Sequence, residues 1–261
     1  MWVEKLARFG YAAKGIVYAI VGVLAVQAAL GTGGKTTDTK GALAAIAQQP
    51  FGKFLLALLA LGLIGYAVWR FVEAIQDPEH KSNDAKALAR RVGYGISGFI
   101  YTSLALSAIR LSMGSGGGGS SSSSEQDWTA RLLSQPFGQW LVGLVGAFVI
   151  GLGFYQLYKA YKAKFRKHMK WQQMSPTEEA WATRIGRFGL AARGIVFAII
   201  GFFLLEAARQ SDPKQARGLD GALQSLAEQS HGPWLLGIVA LGLVAYGIHM
   251  GVQARYRRII A

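Results

Sequence analysis

The chain has 261 residues, carries 28 Lys and Arg against 14 Asp and Glu, and contains no cysteine. Hydrophobic residues make up 52% and charged residues only 16%, below the roughly 25% usual for soluble domains. Without thiols there can be no disulfide, thiolate metal site or cysteine nucleophile, and a net charge of +14 leaves nucleic acid or an anionic membrane surface as polyanionic partners.

A bilayer-spanning helix takes about 20 apolar residues, and six runs qualify: 11–30, 54–74, 92–111, 140–160, 188–208 and 234–254. Lys5 and Arg8 ahead of the first run look like the start of a secretory leader. The same pattern recurs far from the N-terminus, so the first run is expected to be a retained span. After it, residues 42–48 predict a short amphipathic helix at the membrane interface, N-capped by Asp38. Pro50 then precedes the second run, a position that suits a helix start. Residues 114–124 are all Gly and Ser and predict a flexible tether. Residues 128–134 (N-cap Asp127) and 222–228 (N-cap Asp220) repeat the short helix, and Pro136 and Pro233 repeat the proline. Ser175 and Glu178 have capping-box spacing ahead of the fifth run.

The basic residues divide unequally. The termini, the second and fourth loops and the adjoining helix ends hold 20 of them; the first, third and fifth loops hold 8. Acidic residues split 7 and 7, so one face nets +13 and the other +1. The positive-inside rule then puts both termini in the cytoplasm. The basic residues flank membrane ends and contain no nucleic-acid-binding motif, so the expected partners are the bilayer and its anionic lipids, not nucleic acid.

The runs form three copies of a two-helix unit, with repeats at 1–80, 81–170 and 171–261. The openings are RFGYAAKGIVY at 8–18, RVGYGISGFIY at 91–101 and RFGLAARGIVF at 187–197. QPFG at 49–52 recurs at 135–138, with QSHG at 229–232 as a weaker echo. Two spans per unit give every copy the same orientation, so the repeats are parallel. They could surround a pseudo-threefold axis or stand in a row.

Small residues recur at three-four-three spacing along the odd runs: Ala12, Gly15, Ala19 and Gly22, then Gly95, Gly98, Thr102 and Ala105, then Ala191, Gly194, Ala198 and Gly201. The even runs carry a heptad stripe, as at Ala67, Gly153 and Gly247. In lipid, where apolar burial does not drive association, such stripes let backbones approach. Gly15, Gly98 and Gly194 are expected to be equivalent packing contacts.

Few polar residues remain as site candidates. Lys14 and Arg193 align, with Ser97 in the second copy, and lie close enough to a helix end for snorkelling to explain them. Arg70 and Glu73 are spaced to pair. If the units surround an axis, Arg8, Arg91 and Arg187 form a ring at its cytoplasmic end, with Tyr66 and Tyr246 a little deeper beside Arg70 and His249. Such a ring could hold an anionic lipid headgroup or admit a small anion. His80, His168 and His231 are isolated from other metal-ligand types at suitable spacing. No nucleophile elbow, P-loop, zinc or haem motif occurs, so neither an enzyme nor a cofactor is expected.

The three openings, Arg-x-Gly-Tyr-x-x-x-Gly-x-x-Tyr, resemble a family of bacterial integral membrane proteins known as domain of unknown function 1206. The resemblance implies an all-α protein of three tandem two-helix repeats in the bacterial plasma membrane, and it carries no activity. The third copy departs from the pattern with Leu190 and Phe197. Mitochondrial carriers share the threefold two-helix plan, but their Pro-x-acidic-x-x-basic signature is absent. The expected role is structural, scaffolding or partner-binding, with a membrane protein as one potential partner. The alternative is a small-solute or ion transporter or channel along the repeat axis.

Overall fold

The computed structural model describes residues 2–76, 85–114 and 121–258. Nine α-helices are present among them: α1 Trp2–Ala29, α2 Thr39–Ala47, α3 Gly52–Gln76, α4 Ala85–Ser112, α5 Ser121–Leu133, α6 Gly138–Tyr161, α7 Pro176–Gln210, α8 Leu219–Ala227 and α9 Gly232–Tyr256. Six of these (α1, α3, α4, α6, α7 and α9) are long and apolar enough to cross a membrane. The protein is all-α, with six spans and a short helix between the spans of each repeat.

Local chemistry fixes the joints. Asp38 caps α2, accepting from the Gly41 N–H at 2.8 Å. Ser175 and Glu178 close a capping box on α7. Each short helix runs into the next span through a tight turn in which a glycine N–H donates to a glutamine carbonyl three residues back: Gly52 to Gln49 at 2.8 Å, Gly138 to Gln135 at 2.9 Å and Gly232 to Gln229 at 2.7 Å. Phe51 and Phe137 take left-handed φ of 62° and 61° there. A methyl group on Gly138 would lie 2.7 Å from the Leu133 Cα, so the turn requires glycine. Two expected caps fall elsewhere. Asp127 lies inside α5, which begins at Ser121, and Asp220 is the second residue of α8, whose N-cap is Gly218. Of the expected tether, residues 121–124 belong to α5 and 115–120 lie outside the described residues.

The spans pack in the order α4, α3, α1, α9, α7, α6. The arc curls on itself, because side chains of α1, α3, α4, α7 and α9 meet at its centre: Lys14 faces the rings of Tyr66, Tyr101 and Tyr246, and Arg193 faces Tyr18. The repeats therefore surround an axis. The most extensive packing lies between repeats, where the odd-helix stripe of one copy meets the even-helix stripe of the copy before it. A methyl on Gly15 would sit 2.7 Å from the Gly247 carbonyl oxygen, and one on Gly194 2.9 Å from that of Gly153. Gly98 is the exception, meeting the Phe71 ring at 2.8 Å in place of backbone.

Within repeats 1 and 3 the two spans also pack closely. Gly62 meets Ala13 and Gly242 meets Ala192; Gly10 and Gly189 meet the backbone of Tyr66 and Tyr246. Repeat 2 is different: α4 and α6 barely touch. The positions that match Ala13/Ala192 and Gly62/Gly242 are Ile96 and Phe148, too bulky for the same approach. Gly93 and Gly151, in register with Gly10 and Gly65, have no atom within 4 Å of an added methyl. Exposure follows. Ala13 and Val17 are 2% and 1% exposed, whereas Ile96 and Ile100, their counterparts, are 47% and 59% exposed. The wall of the bundle is open between α4 and α6.

Candidate functional site

Arg8, Arg91 and Arg187 perform one structural task three times. Arg8 donates to the carbonyl of Ala254 at 2.8 Å and to that of Arg255. Arg91 donates to Ala74 at 2.7 Å and to Ile75. Arg187 donates to Ala160 at 3.1 Å and to Tyr161 at 2.6 Å. Each ties C-terminal carbonyls of the even helix of one repeat to the odd helix of the next. Their guanidinium groups are turned onto backbone, not gathered into an open ring.

The polar groups that do converge lie deeper, on the axis. Lys14 is 3% exposed, so snorkelling does not describe it. It enters α1 ten residues past Glu4, about 15 Å along the helix. Its ammonium donates to the Tyr66 hydroxyl at 2.9 Å and lies 4.6 Å and 4.8 Å from the Tyr66 and Tyr101 ring centres. Arg193 is its counterpart in repeat 3, donating to the Tyr246 hydroxyl at 2.9 Å and to the Gln156 side-chain oxygen at 3.3 Å. Both pairs join the odd-helix cation to the even-helix tyrosine of the same repeat. In repeat 2 the pair is Ser97 and Leu152, so at this register the open side of the bundle supplies neither a cation nor a hydroxyphenyl ring.

Arg70 extends the cluster toward the end that carries the termini. It donates to the Tyr66 hydroxyl at 2.8 Å and pairs with Glu73 at 2.7 Å. Glu73 also receives Arg257 at 3.0 Å. Arg257 is brought there by an antiparallel bridge to Met169, in which Lys170 donates to the Tyr256 carbonyl and Arg258 to that of His168. Arg257 stacks 5.0 Å over Tyr11 and donates to Gln253, whose amide meets His249 at 2.8 Å. His249 is fully buried against Phe165. Tyr66 joins the two ends through edge contacts with Tyr11 and Tyr101 at 5.2 and 4.6 Å.

The electrostatics are unbalanced. Glu73 takes both Arg70 and Arg257, whereas Lys14 and Arg193 have tyrosine and glutamine partners and no ion pair among the described residues. A guanidinium keeps its proton in a protein, and an uncompensated charge inside a bilayer costs several kcal/mol. The Nε of Arg193 is buried without a hydrogen-bond partner. Tyrosine rings soften part of this charge through cation–π contact, about 0.5–2 kcal/mol each, without neutralising it. The arrangement offers charge and N–H donors to an anion.

The far end of the axis has the opposite character. Glu125 of repeat 2 lies near Asp38 of repeat 1 and Asp220 of repeat 3, and a methyl group on Gly218 would lie 2.8 Å from its carboxylate. Burial, together with those two acids, pushes its pKa up to about 7, against the pull of Lys40.

Of the residues singled out from sequence, Tyr66, Tyr246 and Arg70 join the axial cluster. His249 stands at its edge through Gln253, and Arg8, Arg91 and Arg187 stay outside it. Lys14 and Arg193 are central to it, with Tyr18, Tyr101, Gln156 and Arg257. The available signal was a cation placed at one register of two repeats, with a tyrosine at one register of their even helices.

The comparisons with known proteins agree with this plan. The family model described as Domain of Unknown Function (DUF1206) matches residues 9–77, 92–163 and 188–257. An uncharacterized protein of Bacillus subtilis (strain 168), YxxB, is 41% identical over 256 residues, which span 98% of this chain and 92% of that protein. No solved structure matches. A threefold match across nearly the whole chain and a full-length bacterial relative place this protein in the DUF1206 family of multi-span membrane proteins.

Proposed function

We propose that this protein is a non-enzymatic, partner-binding component of the bacterial plasma membrane, that its termini face the cytoplasm, and that the partner is an anion held at the axial cluster. The observation that carries this is that the buried Lys14 and the half-buried Arg193 meet on the axis with tyrosine and glutamine partners and no ion pair among the described residues, Glu73 being taken by Arg70 and Arg257. Arg193 supplies an unused buried N–H and cannot discharge itself. A guanidinium beside an ammonium is chemistry suited to phosphate, which takes paired charge-assisted hydrogen bonds. The tyrosine hydroxyls hold these cations in place and give a bound oxyanion further donors. Binding is favoured over conduction, because Asp38, Glu125 and Asp220 at the far end repel an anion passing through. The orientation rests on the +13 against +1 charge division.

The test uses delipidated protein in a neutral detergent. Inorganic phosphate should raise its melting temperature above that in gluconate of equal ionic strength, since a ligand that binds only the folded state stabilises it by mass action. Arg193→Gln should abolish the shift, and Arg193→Lys should keep part of it. The absence of a shift in the wild type, or an equal shift in Arg193→Gln, would remove the site.

A further inference from the structure

We infer that the anion is the phosphate group of an anionic phospholipid, admitted sideways from the bilayer between α4 and α6, with its acyl chains lying in that opening. This rests on the axial cluster being an anion site, and it adds the source of the anion and its route.

Three observations converge on the same side of the bundle. First, the wall is closed by close packing within repeats 1 and 3 and open only in repeat 2 among the described residues. Ile96 and Phe148 replace the alanine and glycine that let the other hairpins approach. Second, the same repeat has Ser97 and Leu152 where the others place a cation and a tyrosine, so at that register the opening sets no like charge against the cations of the cluster. Third, both helices flanking the opening contribute to the cluster. From α4, Tyr101 lies under Lys14 and Tyr94 lies 5.2 Å from the Arg70 guanidinium; from α6, Gln156 accepts from Arg193.

The opening is lined by apolar residues, with Ile96, Ile100 and Phe148 exposed. In a bilayer that surface meets acyl chains, and the cations behind it select among lipids by headgroup charge. A soluble anion gains nothing from the apolar lining. From the far end it would also pass Asp38, Glu125 and Asp220. An amphiphile matches both parts, with phosphate on the cluster and chains in the gap.

Two measurements test this. Native mass spectrometry of protein released from native membranes should show one anionic phospholipid on the wild type. Occupancy should fall at least about tenfold in Arg193→Gln, the loss expected from one charge-assisted hydrogen bond. The double variant Ile96→Ala/Phe148→Gly restores the small pair of the other repeats and narrows the opening. It should lose the lipid while keeping the phosphate-induced melting shift, which also shows that it folds. In the second measurement, Ile100→Cys carries a bimane label; the chain has no other cysteine. Brominated phosphatidic acid should quench it saturably and more strongly than brominated phosphatidylcholine in nanodiscs, and Arg193→Gln should erase the difference. Lipid retained by the double variant, or equal quenching by the two lipids, with the phosphate shift intact, would overturn the lipid and its route but leave the anion site. Loss of the phosphate shift from wild type would overturn both.

Discussion

Gly15→Ala tests the inter-repeat seam most directly. The added methyl would lie 2.7 Å from the Gly247 carbonyl oxygen and 3.2 Å from the Met250 Cβ. Ordinary carbon–oxygen contact begins near 3.3 Å, so α1 and α9 must part by about half an ångström along their closest contact. Forcing a carbon into a packed interface costs about 1–3 kcal/mol, and the better helix propensity of alanine returns about 0.5–1 kcal/mol. The net loss is about 1–2 kcal/mol. Gly93→Ala is the matched control: it lies in a spanning helix at the opening, where an added methyl meets nothing within 4 Å. It keeps the propensity gain and should stabilise slightly. The propensity gain is common to both, so the two variants should differ by the packing cost, about 1–3 kcal/mol, in thermal melting in mild detergent, with Gly15→Ala the weaker. Gly194→Ala should follow Gly15→Ala, because it meets the Gly153 carbonyl at 2.9 Å. Gly98→Ala should fall between, because its obstacle is the Phe71 ring, which can turn. Equal melting of Gly15→Ala and Gly93→Ala would refute the backbone-contact account of the seam.

Two further outcomes are expected. For topology, Ser175→Cys beside the α7 capping box should be shielded from an impermeant maleimide in intact cells, and Ser134→Cys, at the end of α5, should react; the reverse labelling would invert the proposed orientation. For pH, Glu125 has its pKa raised to about 7 in the folded protein by burial and by Asp38 and Asp220. The folded state then binds the proton more tightly than the unfolded state, so this contribution is full below the ordinary carboxylate pKa of 4.5 and is lost as pH rises through about 7. Glu125→Gln should flatten the fall in melting temperature between pH 5 and 8 by the equivalent of about 1–2 kcal/mol, a figure already reduced for partial exposure. An unchanged slope would show that burial and the neighbouring acids do not hold the Glu125 pKa up.

Much of this protein was decided along the chain. Six apolar runs cannot fold into a soluble surface, and a bilayer requires each span to satisfy its own backbone, so helices follow. The copied openings, the QPFG turns and the glycine stripes followed from local spacing, because small residues at helical period leave only a helix–helix contact as their use in lipid. Which stripe meets which was a tertiary matter. The odd and even stripes join neighbouring repeats, and that pairing lets Arg8, Arg91 and Arg187 cap the helix before them. Spacing showed Lys14 and Arg193 near a helix end, where a long side chain in a single helix would reach for water. Curling the arc around an axis instead turned them onto Tyr66 and Tyr246. The opening in repeat 2 lay between the two. Ile96 and Phe148 stood in the sequence, but their effect needed the facing partners, since a bulky residue parts two helices only when its opposite number is also too large to give way.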